Sequence, residues 1–454
     1  MRRFSPFVLV FYLLAVAGCS LLPNYADASE LRPRIHGAWY SDVDSIGTPD
    51  DTAARSEMSL ATRPDTLHAA TPDSTIQVES VAERIRRLMC DELFVLLEDE
   101  LFDKTQLGLY IYDLTDDKMI FQKGAKQRLR PASTMKVLTA ISAIDCLGGS
   151  FTFRTEICSD SLLRRDTLCT NLYVKGVMDP LFGRQDLERF AALLADSAVT
   201  CWRGDLILDI SHKDTLAAGW GWCWDDDTPS LSPLLCDRED AFAETLASVL
   251  SEKNILWQGG VLMGAAPPSV VTLTRHTHTL DQVLLPMLKK SDNQMAEAVF
   301  YSIAAHSGKK YAGRPEAVAL INGIIKNELN LVPSDYKIAD GSGLSLYNYV
   351  TPELMVQLLR YAYQNKRIYN HLKPSLPVMG EDGTLKKRCK GTSAQGKVFA
   401  KTGTVSGVSS LAGYAQAAHG HTLCFAIINQ GVETSKIGRD FQDKVCNVLT
   451  REYD

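Results

Sequence analysis

Ser133 and Lys136 lie three residues apart at the start of an apolar run, so on a helix their side chains share one face. Apolar residues recur at steps of three and four from Val137 onward, which predicts a helix whose first turn contains Ser133. A serine hydroxyl becomes an effective nucleophile only when a base removes its proton. A lysine can act as that base when burial or a second cation lowers its pKa. The pair therefore predicts a nucleophilic serine with a lysine base.

The Ser-x-x-Lys spacing is not specific by itself, because it also occurs at Ser307 and at Ser334. Two other segments distinguish Ser133. Ser291-Asp292-Asn293 and Lys401-Thr402-Gly403-Thr404 follow it in that order, and each occurs once in the chain. The first motif opens a helix and the third ends a strand. This ordered set is typical of the active-site serine enzymes that react with penicillin, the D,D-peptidases and serine β-lactamases.

Composition and charge exclude several other classes of protein. The 454 residues are enough for two or three domains, or for one large domain with insertions. A net charge of −6 without a long basic run argues against a nucleic-acid partner. The chain has no C-x-x-C pair, and His276 and His278 have no third ligand near them in sequence. A nucleotide motif and the Gly-x-Ser-x-Gly elbow of Ser-His-Asp hydrolases are also absent. We therefore predict no metal site and no cofactor.

Residues 1–19 are typical of an export signal. Arg2 and Arg3 precede a short apolar segment, and Val16-Ala17-Gly18-Cys19 resembles the bacterial lipobox, in which the cysteine becomes the lipidated first residue. The alternative is ordinary cleavage after Ala26-Asp27-Ala28, although that site is far from the apolar segment and contains an acid. We expect a chain in the periplasm or cell envelope that is attached to a membrane through a lipid on Cys19.

An exported chain can hold disulfides, and ten cysteines remain after Cys19. Cys158 with Cys169, and Cys223 with Cys236, are close enough in sequence to pair. Sequence spacing does not decide the connectivity, and cysteines can equally be small buried apolar residues.

The rest of the chain divides by composition and periodicity. Residues 20–78 are rich in Ser, Thr, Asp, Pro and Ala, which predicts a flexible tether. Residues 79–150 and 279–454 contain strands near both ends of the chain with helices between them, which predicts one mixed α/β domain whose sheet unites the two ends. Residues 151–278 would then form an inserted smaller domain.

From about residue 80 to its end, the chain resembles the D-alanyl-D-alanine carboxypeptidase/endopeptidase family, the low-molecular-mass class C penicillin-binding proteins. The long interval between the first and second motifs is a mark of this class. Two departures are evident: the interval has room for about one of the two nested insertions of many members, and Met178 replaces a glycine. Stretches that support the resemblance, besides the motifs, are Arg130-Pro-Ala, Gly176-Val-Met-Asp-Pro-Leu181, Gly204-Asp-Leu-Ile-Leu-Asp209, Gly221-Trp-Cys-Trp-Asp-Asp226, Asp340-Gly-Ser-Gly-Leu-Ser345 and Gly380-Glu-Asp-Gly-Thr-Leu385.

The resemblance implies a penicillin-recognising fold and hydrolysis through an acyl-enzyme. Ser133 would attack the carbonyl carbon of the D-Ala–D-Ala bond while Lys136, with its pKa lowered by the nearby cation Lys401, takes the hydroxyl proton. Ser291 would pass a proton to the leaving amine, and Asn293 would bridge Lys136 and the substrate amide.

The resemblance also implies how substrate is held. Lys401 and the hydroxyls of Thr402 and Thr404 would bind the substrate carboxylate, within a substrate-binding segment that includes Gly403. The backbone N–H groups of Ser133 and Thr404 would form the oxyanion hole.

Asp226 has the position at which the family receives the free amino group of the diamino acid in the peptidoglycan stem. A carboxylate beside aromatic walls suits an ammonium group. Asp225 or Asp227 could take its place, and a solvated loop acid is the alternative interpretation. We interpret the three preceding tryptophans as packing residues of the core or of a wall: Trp220, Trp222 and Trp224.

The expected partners are peptidoglycan stem peptides, β-lactam antibiotics and, through the lipid anchor, a membrane. Two rival functions stay open at this point. A serine β-lactamase would use the same residues but release its acyl group rapidly. A non-catalytic, wall-binding or penicillin-sensing lipoprotein would share the fold, although intact motifs argue against it.

Overall fold

The computed structural model describes residues 79–161, 166–226 and 228–453. The predicted export signal, the tether, Cys19 and Asp227 lie outside these residues. Within them, no helix has the length and apolar character needed to cross a membrane.

The described residues form helices, strands and three short 3₁₀ turns. The helices are α1 (Val81–Leu96), α2 (Leu101–Lys104), α3 (Met135–Leu147), α4 (Arg184–Asp196), α5 (Phe242–Glu252), α6 (Leu280–Lys289), α7 (Asn293–His306), α8 (Arg314–Asn327), α9 (Pro352–Gln364), α10 (Lys366–Ser375) and α11 (Ser435–Thr450). The strands are β1 (Gln106–Asp113), β2 (Lys118–Lys123), β3 (Thr152–Ser159), β4 (Asp166–Leu168), β5 (Leu172–Lys175), β6 (Val199–Trp202), β7 (Leu206–Asp209), β8 (Leu256–Trp257), β9 (Val261–Met263), β10 (Val271–Thr279), β11 (Val398–Val405), β12 (Val408–Gln416) and β13 (Thr422–Gln430). The 3₁₀ turns are Ala132–Thr134, Pro333–Asp335 and Gly383–Leu385.

The first sheet has the strand order β11-β12-β13-β1-β2 and is antiparallel throughout. It therefore joins strands from the two ends of the described chain. Because side chains alternate along a strand, its two faces have separate cores. Leu109 and Ile111 of β1 pack with α1 and α11, whereas Tyr110 and Tyr112 pack with α3, α7 and α9. The predicted mixed α/β fold, with one sheet uniting the ends, is confirmed.

Residues 152–279 contribute a second sheet, ordered β10-β3-β5-β7-β9, and a third, ordered β4-β6-β8. Helices α4 and α5 share a core with these strands, and in it the rings of Trp202 and Trp257 stack with centroids 4.6 Å apart. β10 leads directly into α6, whose N-cap is Thr279. The limits of the domains, 79–150 with 279–454 and 151–278, remain a prediction.

Most elements agree with the periodicity of the sequence, but two differ. The apolar residues of 79–103 have helical spacing throughout, but they do not form one helix. α1 ends at Leu96, and a side-chain oxygen of Asp99 accepts the N–H of Leu101 at 3.0 Å, where a new helical turn starts. Helix α10 was not predicted. Its N-cap is Asn365, the residue directly after α9 ends, and the Asn365 side chain accepts the N–H of Arg367 at 3.2 Å.

Candidate active site

Ser133 lies in the 3₁₀ turn Ala132–Thr134, directly before α3 begins at Met135. The sequence predicted a position in the first α-helical turn. The difference arises because Ala132 has φ +48°, a left-handed conformation that an alanine adopts only under strain. The hydroxyl of Thr134 donates to the carbonyl of Pro131 at 2.6 Å, and Ser410 on β12 donates to the same carbonyl at 2.6 Å. The turn that presents Ser133 is thus fixed to the sheet.

Lys136 is completely buried, and its amine joins the first two motifs. Its Nζ donates to Ser133 Oγ at 3.0 Å, to Asn293 Oδ1 at 2.8 Å and to the backbone carbonyl of Ser342 at 2.7 Å. Burial is the main effect on its pKa, which is lowered to about 8. A neutral, proton-accepting amine is therefore accessible near neutral pH.

Lys401 joins the third motif to the second. It is also completely buried, and its Nζ donates to Ser291 Oγ at 2.9 Å and to the Thr402 carbonyl at 2.7 Å. Burial, and then the charge of Lys136, hold the pKa of Lys401 well below its ordinary value. For Lys136 itself, burial rather than the charge of Lys401 is the leading cause of the lowered pKa. This corrects the emphasis that the sequence placed on the second cation.

Gly403 lets β11 pass close to the Ser133 turn. A Cβ at this position would lie 2.2 Å from Ser410 Oγ, 2.8 Å from the Pro131 carbonyl oxygen and 2.9 Å from the Ser133 nitrogen. Only glycine fits without a shift of backbone. Close packing against the nucleophile therefore explains a glycine at this position, and its place in the substrate-binding segment stays a prediction.

The two threonines of the third motif lie beside Gly403 on β11, which forms one edge of the first sheet. The hydroxyl of Thr402 donates to Thr384 Oγ1 at 2.8 Å, and Thr404 is exposed. A hydroxyl and a strand edge that are both accessible can bind an extended peptide.

The second motif begins α7 and is held by Arg238, which lies shortly before α5. Asp292 caps the helix by accepting the N–H of Met295 at 3.1 Å, an interaction typically worth about 1 kcal/mol. Both oxygens of Asp292 also pair with Arg238, at 2.6 and 2.9 Å. Gln294 donates to the carbonyl of Arg238 at 2.8 Å. Arg238 was not identified from the sequence, because its partner lies 54 residues further along the chain.

Two buried acids lie behind Lys136 and were also missed. Glu297, one helical turn after Asn293 on α7, accepts the N–H of Ser342 at 2.8 Å and that of Gly341 at 3.2 Å. It thereby holds in place the loop whose Ser342 carbonyl accepts a hydrogen bond from the Lys136 amine. Asp340 accepts four further bonds, of 2.7 to 2.9 Å, from the Gly343 and Ser345 N–H groups and from the side chains of Asn348 and Trp222. The i, i+4 spacing of Asn293 and Glu297 was the signal in the sequence.

Glu297 makes the stability of the fold depend on pH. Burial, and then the charge of Asp340, raise the pKa of Glu297 to about 8 from an ordinary value of 4.5. Between these values the folded chain holds a proton that the unfolded chain has lost, so this residue lowers stability as pH rises, with a slope of at most about 1.4 kcal/mol per pH unit. We expect the stability of Glu297→Gln, relative to wild type, to increase between pH 5 and pH 8 in urea unfolding.

The comparison between variant and wild type isolates Glu297 from the buried lysines, which titrate in both proteins. Glu244→Gln, at an exposed position on α5, is the matched control and should show no such trend. A difference between Glu297→Gln and wild type that stays constant over this pH range would contradict the prediction.

The loop of residues 219–226 lies against the loop that Asp340 organises. Trp222 Nε1 donates to Asp340 Oδ2 at 2.9 Å, and Trp220 packs on Tyr347 with ring centroids 5.2 Å apart. The packing role predicted for these two tryptophans agrees with their contacts. It is wrong for Trp224, whose side chain is 97% exposed.

Asp226 caps the turn of the same loop. One of its oxygens accepts the N–H of Cys223 at 2.7 Å, and the side chain is half-buried, whereas Asp225 is exposed. Capping this turn therefore occupies one of the two carboxylate oxygens of Asp226. The second oxygen has no such bond to the turn.

The other residues noted in the sequence form no common site. His276 contacts Asp186 at 3.1 Å and His278 contacts Asp179 at 2.8 Å, as two separate pairs. All ten described cysteines are free, so neither of the two pairs suggested by spacing is bridged. The polar groups beside Ser133 are amines, hydroxyls and amides, which suit proton transfer rather than metal coordination.

Structural comparison defines the class of the fold. The crystal structure of penicillin binding protein 4 (dacB) from Haemophilus influenzae superimposes with a TM-score of 0.70 at 24% identity, over 79% of this chain and 98% of that one. Bd3459, a peptidoglycan endopeptidase from Bdellovibrio bacteriovorus, gives a TM-score of 0.53 at 17% identity, over 77% and 95%. The fold is that of the penicillin-binding proteins.

Sequence comparison then gives the family. The profile of the D-Ala-D-Ala carboxypeptidase 3 (S13) family matches residues 90–236 and 230–452. The chain is 27% identical over 441 residues to the D-alanyl-D-alanine carboxypeptidase of Actinomadura sp. (strain R39), covering 75% of this chain and 80% of that protein. It is 25% identical over 426 residues to D-alanyl-D-alanine carboxypeptidase DacB of Haemophilus influenzae, covering 75% and 88%. The chain belongs to the S13 family and is a serine-type D-Ala-D-Ala carboxypeptidase, which confirms the resemblance.

Proposed function

We propose that Ser133 is the nucleophile of this peptidase and that it is acylated both by peptidoglycan stem peptides ending in D-Ala–D-Ala and by β-lactams. The observation that supports this proposal most directly is that one amine, Lys136 Nζ, lies within hydrogen-bond distance of both Ser133 Oγ and Asn293 Oδ1. A second amine, that of Lys401, holds Ser291 in the same way. Both hydroxyls therefore have a proton acceptor or donor in direct contact.

Acylation begins with proton transfer from Ser133 to Lys136. The pKa of Lys136, lowered to about 8, leaves a usable fraction of free amine at neutral pH. As Oγ bonds to the carbonyl carbon, negative charge develops on the carbonyl oxygen. The N–H groups of Ser133 and Thr404 are the proposed donors to that oxygen. The approach of β11 to the Ser133 nitrogen at Gly403 supports this pairing.

The C–N bond then breaks, and the leaving amine needs a proton. Ser291 supplies it in our proposal, and the proton is replaced through Lys401, 2.9 Å away. Before deacylation both lysines must be reset: Lys136 releases to solvent the proton that it took from Ser133, and Lys401 regains one from solvent. Water then attacks the ester and gives a proton to the free amine of Lys136. Lys136 passes this proton to Ser133 Oγ as the bond between Oγ and the carbonyl carbon breaks, which restores the Ser133 hydroxyl.

The terminal carboxylate of the substrate is bound, we propose, by Lys401, Thr402 and Thr404. In the resting enzyme, burial and then the charge of Lys136 lower the pKa of Lys401. A bound carboxylate favours the charged amine, so binding raises the pKa of Lys401 again. Recognition of the carboxylate and charging of Lys401 are therefore coupled.

Asp226 is proposed to receive the free amino group of the stem's diamino acid. Asp226→Asn keeps an oxygen that can accept the Cys223 N–H but removes the charge. We expect it to lower kcat/KM about tenfold on a substrate with that amino group, from the loss of a charged hydrogen bond, and to leave an N-acylated analogue unaffected. Asp225→Asn is the matched control. Equal losses on both substrates would refute the role of Asp226, and a selective loss in Asp225→Asn would transfer the role to that residue.

Endopeptidase action on cross-links follows from the same chemistry, since the acyl half of both bonds is D-Ala. Residue 19 is proposed to carry the lipid that tethers the enzyme to the cell envelope. Metabolic labelling with a radioactive fatty acid should label the wild-type chain, and Cys19→Ser should lose the label. Labelling that persists in Cys19→Ser would exclude this anchor.

The function is tested by mass spectrometry with two classes of ligand. Penicillin should add one drug mass to the protein, located on the peptide that contains Ser133. Incubation with purified sacculi should release D-Ala and cleave cross-linked muropeptides. Rapid turnover of a chromogenic cephalosporin without release of D-Ala would favour a β-lactamase, and an unmodified Ser133 would refute the proposal.

A further inference from the structure

Two histidines face each other in the turn between β12 and β13. His419 and His421 flank Gly420, whose φ of +89° is favourable only for glycine. The turn is closed by the N–H of Ala417, which donates to the His421 carbonyl at 2.9 Å. The two imidazole rings have centroids 4.3 Å apart and planes at 47°.

A buried carboxylate completes the group. Asp113 ends β1, the neighbour of β13, and is 2% exposed. Its Oδ1 accepts the N–H groups of Thr115 at 2.9 Å and Asp116 at 3.2 Å, which fixes the side chain. Its Oδ2 accepts a hydrogen bond from His421 Nδ1 at 2.8 Å. One ligand atom from each of Asp113, His419 and His421 lies within 4.8 Å of the others.

The neighbouring charges leave this group available to a cation. Arg86 from α1 pairs with Asp116 at 2.7 Å and lies further from Asp113, at 3.9 Å. Asp116 is also 4.0 Å from His421, so its carboxylate offsets the charge of Arg86.

We propose that Asp113, His419 and His421 bind a divalent first-row transition cation, of which Zn²⁺ suits the donors best. Two imidazole nitrogens and one carboxylate oxygen are the donor set of many zinc sites, and they do not suit Mg²⁺ or Ca²⁺, which prefer oxygen ligands alone. Bonds of about 2.0 to 2.2 Å place ligand atoms about 3.4 Å apart, so small side-chain rotations close the site. The ion replaces the proton shared by His421 and Asp113, which is released to solvent.

The site links two parts of the first sheet far from the nucleophile. Asp113 pairs in register with Leu423, whereas the Thr404 end of β11 is at the opposite end of the sheet, where Thr404 pairs with Ser409. The ion would tie the end of β1 to the β12–β13 turn. The inference is independent of the proposed catalytic function. The sequence missed this group because Asp113 and the histidines are separated by about 300 residues.

The test is a titration of the untagged protein with Co²⁺, followed by its visible ligand-field absorption, and then displacement of Co²⁺ by Zn²⁺. We expect one Co²⁺ per chain without the near-ultraviolet band of a sulfur ligand. That band is the necessary check, since the chain has free cysteines. Zn²⁺ should also raise the melting temperature, because an ion that binds only the folded state stabilises it.

His419→Ala should weaken Co²⁺ binding by at least about tenfold while leaving release of D-Ala unchanged. Asp113→Asn should also weaken Co²⁺ binding by at least about tenfold. The matched control is His371→Ala, which removes another Asp–His pair, 2.7 Å from Asp281. Any of three results would overturn the proposal. The wild-type protein could bind no Co²⁺, the sulfur band could account for all of the Co²⁺ bound, or His419→Ala could bind Co²⁺ with undiminished affinity.

Discussion

Lys136→Met should lose acylation by penicillin, with a rate lower by about 10³-fold or more, while the protein remains folded. A general base typically contributes 10²- to 10⁴-fold, and no other amine is within hydrogen-bond distance of Ser133 Oγ among the described contacts. Some loss of stability should accompany the substitution, because methionine leaves the Ser342 carbonyl and Asn293 Oδ1 without the donor that Lys136 supplies. Stopped-flow acylation by a fluorescent penicillin and urea unfolding would measure the two effects.

The chain supplies its own control for this substitution. Lys310 follows Ser307 with the same Ser-x-x-Lys spacing but is exposed at the surface after α7. Lys310→Met should acylate at the wild-type rate. Retention of rapid acylation in Lys136→Met would show that another group takes the serine proton.

The same lysine sets the pH profile of the wild-type enzyme. With a pKa lowered by burial to about 8, Lys136 is mostly protonated below this pH and mostly free above it. The acylation rate should therefore rise about tenfold per pH unit below pH 8 and level off above it. A profile that is flat from pH 6 to pH 9 would contradict the assignment of Lys136 as the base.

Gly403→Ala should damage both activity and stability. Its Cβ would meet Ser410 Oγ at 2.2 Å and the Ser133 nitrogen at 2.9 Å, so β11 and the Ser133 turn must separate. Overpacking of this kind costs about 1 to 3 kcal/mol of stability. A displacement near 1 Å at reacting atoms can cost about 10²-fold in rate. The measurements are acylation rate and free energy of unfolding.

Gly323→Ala provides the contrast, since Gly323 lies within α8 and a Cβ there meets nothing within 4 Å. Alanine in a helix interior is favoured over glycine, so this variant should gain up to about 1 kcal/mol with unchanged activity. If Gly403→Ala and Gly323→Ala change the acylation rate and the free energy of unfolding alike, the close approach of β11 to Ser133 is not the reason that position 403 requires glycine.

Local patterns in the sequence were sufficient for the motifs and most elements. Ser133, Ser291 and Lys401 were selected from the order of three short motifs, and the structure brings their side chains together around two lysine amines. The first sheet was predictable because short strand-like apolar runs occur near both ends of the sequence. The catalytic roles of Ser133, Ser291 and Lys401 stay predictions until the effects of the substitutions are measured.

What the sequence did not reveal depends on contacts between distant segments. In the sequence, Glu297 is marked only by its i, i+4 spacing from Asn293, and Asp340 only as part of a stretch that supports the family resemblance. The fold brings both acids behind Lys136. The pairing of Arg238 with Asp292 is equally non-local. Likewise, the leading cause of the lowered pKa of Lys136 is its burial, which α7 and the loop of residues 340–345 create together. Exposure of Trp224 was missed because an aromatic residue in a loop has no periodicity to indicate its surroundings.

The position of β13 between β12 and β1 has a consequence for biosynthesis. β1 leaves the ribosome long before its neighbour on one side, β13, is synthesised, because about 300 residues separate the two strands. The edge of β1 stays unpaired until then, and contacts of such long sequence separation form slowly. The nascent polypeptide therefore cannot assemble its reactive pocket until β13 has been synthesised.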